Sequence, residues 1–161
     1  MKTFIYRQEI LPSDVEAIAD IVESSGFFSD EELEIAIELA EDKLEKQDLS
    51  SYRFLFMQDG MRVVGYTCYG LIPATRASYD IYWVVVAKDL HHQGLGKLLM
   101  AETEKLIDQS GGRQVYAETS SRNQYKPTHQ FYESCGYMKE AFLKNFYAEG
   151  DGKFIYAKVL K

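Results

Sequence analysis

Several things are scarce in this chain, and each scarcity removes a class of function. Cysteine occurs only at Cys68 and Cys135 in 161 residues. Two such residues make neither a disulfide framework nor a zinc spacing, and each reads as a small buried apolar side chain. Proline is down to three residues and no Pro- or Gly/Ser-rich tract interrupts the chain, so no linker divides it. Positive charge is short: 18 Lys and Arg stand against 25 Asp and Glu, a formal net charge of −7. A nucleic-acid partner is therefore disfavoured, because holding a phosphate backbone takes a basic face. Long apolar runs are also missing. No stretch nears the ~20 residues that span a membrane. Lys2-Thr3-Phe4-Ile5-Tyr6-Arg7 lacks the apolar segment of a secretory signal. The expectation is a cytoplasmic protein with no membrane partner, folding as one domain over residues 1–161.

Aromatics are abundant, with twelve Tyr and nine Phe, so a core or a pocket is aromatic-rich. Residues 3–9 read as a strand ended by Leu11-Pro12. Ser13-Asp14-Val15-Glu16 has capping-box form and opens a helix that Gly26 stops. Ser29-Asp30-Glu31-Glu32 is a second such box. The helix it opens carries Leu33, Ile37, Ala40 and Leu44 on one stripe and an acidic outer face, which is most simply a solvated surface. Strand-like runs at 52–57 and 62–69 are joined through Asp59-Gly60, a strong hairpin signal. Another strand covers 79–86. A helix from 95 to about 109 is expected to bury Leu95, Leu98, Leu99, Leu106 and Ile107, and Gly111-Gly112 ends it. A strand at 114–119, a helix from Pro127 to about Cys135, and strands at 137–147 and 154–160 complete the chain. The order predicts an α/β fold, a mixed, mostly antiparallel sheet with flanking helices and one parallel crossover.

The stretch from Val84 to Leu99 organises this plan. Val84-Val85-Val86 suits a strand covered on both faces. Gly94 and Gly96 let the backbone approach whatever lies above the turn. The helix that follows aims its unpaired amides and positive dipole end at the same place. Together they make an anion site, and a phosphate-bearing ligand is the first expectation. It is not a P-loop: Gly96-Lys97 is followed by Leu98, and His91 stands where the first Gly is needed. A dinucleotide fingerprint would require a third Gly where Leu99 stands, although Glu118 could mimic its ribose-binding acid. A dinucleotide-binding protein remains a rival.

The pattern His91-His92-Gln93-Gly94-Leu95-Gly96 resembles the signature of the GNAT superfamily of acyl-CoA-dependent N-acyltransferases. That signature is Gln or Arg, two residues, Gly, one residue, then Gly or Ala, and His91 departs from it at the first place. A second family motif, an aromatic pair ahead of Gly-aromatic, is met by Phe131-Tyr132-Glu133-Ser134-Cys135-Gly136-Tyr137, with Asn123 in the place of an upstream Asn. The resemblance spans essentially the whole chain in element order and implies the acyl-CoA N-acyltransferase fold. It implies acetyl-CoA as donor co-substrate, with no metal.

Carried over, the resemblance makes Val84, Val85 and Val86 the rail for the pantetheine arm and the source of an oxyanion-binding amide. The amides from His92 through Gln93, Gly94, Leu95 and Gly96 to Lys97 would cradle the pyrophosphate, with Asn123 nearby. Tyr132 would protonate the departing CoA thiolate, a general-acid role typically worth roughly 10²–10⁴-fold. Glu118, five residues before Asn123, sits where the N-terminal acetyltransferases resembled here carry a basic Glu. It reads equally as a structural strand-end carboxylate, with Asp80 and Tyr82 as alternative bases. Phe27, Phe28, Tyr82 and Tyr147 are candidate walls for the acceptor, beside Phe146.

The expected reaction is transfer of acetyl from acetyl-CoA to a primary amine by direct attack, on a small-molecule or peptide acceptor. A non-catalytic acyl-CoA-binding module is the alternative. The acceptor and the assembly are left open, though dimers are common in the family. His91, His92 and His129 are read as phosphate-adjacent or surface residues rather than metal ligands.

Overall fold

The computed structural model describes residues 2–161. Its elements follow the predicted order. Strand β1 (Ile5–Arg7) leads into helices α1 (Ser13–Ser24) and α2 (Asp30–Lys46). Three strands come next, β2 (Arg53–Asp59), β3 (Arg62–Leu71) and β4 (Ser78–Val86), then helix α3 (Leu95–Gln109) and strand β5 (Gln114–Ser120). Helix α4 (Lys126–Ser134) and strands β6 (Met138–Ala148) and β7 (Asp151–Val159) close the chain. The seven strands make one sheet in the order β1-β2-β3-β4-β5-β7-β6. It is mixed: β4 and β5 are parallel, while β1–β2, β2–β3, β5–β7 and β6–β7 are antiparallel. Among the described residues no helix is long and apolar enough to cross a membrane.

The local signals account for most boundaries. Asp59-Gly60 turns the β2–β3 hairpin, with Gly60 at φ +61°. At α2 the Ser29 side chain accepts from Glu32 N and the Glu32 carboxylate accepts from Ser29 N, the full capping box. The box expected at Ser13 does not form. Helix α1 begins at Ser13 itself, after Pro12, without a side-chain cap. Asp14 instead ties down the chain ahead of the helix: its Oδ2 accepts from Leu11 N at 2.6 Å, and the Arg7 guanidinium grips both carboxylate oxygens at 2.7 and 2.9 Å. A charge-assisted fork is stronger than a neutral hydroxyl cap, and Asp14 is buried by it.

The chain divides into two compact units. The first runs through Gly70 and includes Trp83–Met100. Its core is Ile18, Ile21 and Val22 of α1 and Ala36 and Ala40 of α2, packed with Phe54, Phe56, Tyr66, Cys68 and Val85 of the sheet. Phe54 and Phe56 stack at 5.7 Å between ring centroids, and Tyr66 lies 6.1 and 6.2 Å from them.

The second unit comprises Leu71–Tyr82 and Ala101–Lys161. Its interior holds Tyr79, Ile107, Val115, Ala117, Tyr132, Tyr137 and Tyr156. In α3, Leu98 is not buried as expected but 50% exposed, and Met100, Thr103 and Glu104 are inside with Leu95, Leu99 and Ile107. The buried stripe runs through 95, 99, 103 and 107, a spacing that puts Leu98 off its edge. Both cysteines are buried thiols, as expected.

Candidate active site

The first unit carries the turn from β4 into α3. After Val86 the chain makes one 3-10 turn, Lys88–Leu90, and reaches His91 in extended backbone. His92 (φ +63°) and Gly94 (φ +77°) both adopt left-handed conformations, which fold successive amides into a concave nest. The first bond that enters α3 is Leu98 N to Gly94 O at 3.2 Å. The amides of Leu95, Gly96 and Lys97 thus precede the helical ladder and lie at its positive end. A Cβ placed on Gly94 would meet nothing within 4 Å. His91 returns to the strand, where its Nε2 lies 2.7 Å from the Val86 carbonyl oxygen. Val86 O therefore already has a partner inside the chain. The Val85 side chain belongs to the core, but Val84 and Val86, which point to the other face, are only half-buried, so the strand is not covered on both faces as expected.

The same unit holds two of the predicted wall residues. Phe27 and Phe28 meet edge-on at 5.3 Å, and Phe28 packs on Trp83 at 5.0 Å. Trp83 was not anticipated. Its signal was its place as the chain's single tryptophan, next to Tyr82 on a strand.

In the second unit the sheet register assembles a separate cluster. Asp80 of β4 is opposite Tyr116 of β5 in the parallel pairing, which runs from Ser78↔Gln114 to Ile81↔Ala117 and includes neither Tyr82 nor Glu118. Glu118 is two residues beyond Tyr116 and so shares its face. A cavity of about 230 Å³ is lined by Asp80, Ile81, Tyr82, Glu118 and Tyr147. Asp80, Tyr82, Glu118 and Tyr147, all singled out from the sequence, meet here.

Lys153 was not anticipated either, because a lysine just past a turn looks like a solvated one. It pairs with Glu118 at 2.7 Å and lies 3.6 Å from the Phe146 ring centroid. Gly152 permits this course of the chain. A Cβ there would come within 2.4 Å of the Phe142 ring and 2.9 Å of Leu143 O. Burial, and then the neighbouring Glu118 charge, raise the Asp80 pKa above its ordinary value, while Lys153 pulls it partly back.

Tyr132 lies on α4 and does not line that cavity. Its ring packs among Phe131 at 5.5 Å, Tyr137 at 5.7 Å and Tyr156 at 5.7 Å, the last stacked. Burial pushes its phenol pKa upward, so it keeps its proton. The C-terminus of α4 is pinned beneath it. Lys158 Nζ donates to Cys135 O at 2.8 Å and pairs with Glu104 at 2.7 Å, and Tyr137 Oη donates to the other Glu104 oxygen at 2.9 Å. His129, expected at the surface, is half-buried with Nε2 2.7 Å from Ser120 O. Asn123 begins the 3-10 turn ahead of α4 and is exposed.

Against known proteins, the chain matches the model of the acetyltransferase (GNAT) family over residues 15–137. It is 41% identical to a Desulfovibrio desulfuricans protein assigned to the GNAT acetyltransferases, with a TM-score of 0.95 over 98% of this chain and 99% of that one. Two more distant structures share the fold. One is the ribosomal-protein-alanine N-acetyltransferase of Brucella melitensis, with 22% identity, a TM-score of 0.76, and 97% and 99% of the chains covered. The other is the PaiA N-acetyltransferase of Thermoplasma acidophilum in complex with coenzyme A, with 18% identity, a TM-score of 0.74, and 98% and 99% covered. No curated protein matches the chain.

Proposed function

Because this chain belongs to the acetyltransferase (GNAT) family, we propose that it moves an acetyl group from acetyl-CoA to a primary amine by direct attack. The whole of residues 1–161 serves as the one catalytic domain. The observation that carries the reading is the nest at Gly94, where the amides of Leu95, Gly96 and Lys97 lie ahead of the first helical bond. An anion such as a pyrophosphate fits those donors without any basic side chain, which explains how His91 can stand where the family has Gln or Arg. The amides of His92 and Gln93, the β4 residues Val84, Val85 and Val86, and Asn123 complete the donor-binding set.

Acetyl-CoA supplies an acetyl thioester already activated toward amines. The chain's own residues supply the rest. An acceptor amine is held in the cavity of Asp80, Tyr82, Glu118 and Tyr147. The amine must lose a proton to attack, and the paired carboxylates Asp80 and Glu118 receive it. Asp80 is the better base of the two. Its proton affinity is raised by burial and by Glu118, whereas the Glu118 carboxylate is already engaged in an ion pair with Lys153. Tyr132, a phenol that burial keeps protonated, donates to the sulfur that leaves.

The test is release of free thiol from acetyl-CoA on addition of an amine panel. Amine-dependent release, together with N-acetylated product by mass spectrometry, is the expected result. Tight CoA binding with no release for any amine overturns it in favour of a non-catalytic acyl-CoA binder.

A further inference from the structure

Lys153 is a buried ammonium that the proposed reaction does not use. Its side chain is 10% exposed, against 47% for its partner Glu118. The β5–β7 register puts Lys153 opposite Ser120 and Ile155 opposite Glu118. The two charged side chains are therefore diagonal neighbours on one face. The ammonium also lies over the ring of Phe146 at 3.6 Å and 5.7 Å from that of Tyr147, two rings of β6 that favour a cation held there.

The cavity is lined by Asp80 and Tyr82 from β4, Glu118 from β5 and Tyr147 from β6, and Lys153 from β7 pairs with Glu118 and lies 5.7 Å from the Tyr147 ring centroid. Glu118 is compensated by Lys153, so a single carboxylate, Asp80, is left to receive an ammonium. The walls Tyr82 and Tyr147 are aromatic. A polyamine or aminoglycoside would bring its second ammonium toward a lysine that already holds the other carboxylate. Like charges set side by side cost several kcal/mol in such a site, which is rejection by repulsion rather than by shape.

We propose that Lys153 is a specificity-determining residue that restricts the acceptor to an amine bearing one ammonium on an apolar or aromatic body, and excludes polycations. This rests on the cavity being the acceptor site of the proposed transferase.

The experiment compares phenethylamine with spermidine in wild type, Lys153→Met and Lys153→Arg. It reads kcat/KM by thiol release and, independently, amine binding to the CoA-loaded protein by calorimetry. Wild type is expected to favour phenethylamine by at least about tenfold, given the size of a like-charge penalty. Lys153→Arg keeps that preference, and Lys153→Met erases or inverts it. Lys153→Met also moves the acidic limb of the kcat/KM profile to higher pH, because Lys153 is the charge that holds Asp80 down. A merely structural lysine would lower both amines together and leave that limb in place. Equal or better use of spermidine by wild type overturns the proposal, as does an unchanged ratio in Lys153→Met. If Lys153→Met does not fold, the wild-type and Lys153→Arg ratios decide. Selective phenethylamine binding without turnover supports the pocket assignment and sinks the transferase reading alone.

Discussion

The two units of this chain build their sites from different material. In the first, the nest between β4 and α3 is backbone: Leu95, Gly96 and Lys97 contribute amides, and His92 and Gly94 contribute left-handed conformations. In the second, the cavity is side chain: Asp80, Tyr82, Glu118 and Tyr147, with Lys153 behind. A backbone site depends on conformation and tolerates changes of side chain, as His91 illustrates. A side-chain site depends on charge and proton affinity, and one substitution alters it.

The sharpest test of the comparison is a pair of buried phenols, because one substitution has opposite consequences in the two units. Tyr132→Phe is expected to lower kcat roughly 10²–10⁴-fold while acetyl-CoA affinity stays near wild type. Unchanged turnover on a good acceptor removes Tyr132 from the chemistry.

Next comes Asp80→Asn, with kcat/KM expected to fall by roughly 10²-fold and its acidic limb to vanish. The same variant is more stable at neutral pH. The folded protein holds the Asp80 proton more tightly than the unfolded chain does, so its ionised form costs stability above the raised value. Below pH 3.8, where both states are protonated, that cost is gone. Thermal denaturation of both proteins at pH 3 and pH 7 checks the sign.

Gly94→Ala probes the backbone site. No atom obstructs the added Cβ, so the whole cost is that of φ +77°, about 1–2 kcal/mol for an L-residue. Calorimetry should show CoA binding weakened by about tenfold, with amine binding in the second unit unaltered. Loss of amine binding as well would erase the distinction between the units. The smallest effect is a gain. Tyr66 Oη is buried with no hydrogen-bond partner among the described residues. Tyr66→Phe should therefore raise stability in urea by about 1 kcal/mol without changing turnover.

Much of the first unit's site was legible in advance because its signals are local. Glycine spacing, a valine strand and a helix start lie within sixteen consecutive residues, Val84 to Leu99. Their conformations follow from residue type within one or two turns. Capping was less secure. Ser29 capped as its neighbours dictate, but Ser13 makes no cap, and the entry to α1 is held instead by Asp14, which the Arg7 guanidinium of β1 grips. Leu98 was misplaced because a run of leucines in α3 left the edge of the buried stripe ambiguous.

The amino-acid order by itself determined the sequence of elements, the mixed sheet, the nest at Gly94 and the family, since each is written in periodicity, turn residues and short motifs. Only the tertiary structure decided that Asp80, Glu118, Tyr147 and Lys153 meet on one face. They come from four strands, and their meeting is set by the β4–β5, β5–β7 and β6–β7 pairings. A one-residue slip in any of these registers would turn these side chains to the opposite face. Such a register rests on long-range pairing energy and leaves no mark in any short stretch of chain. For that reason Glu118 could be named from the sequence, while the lysine that holds its charge could not.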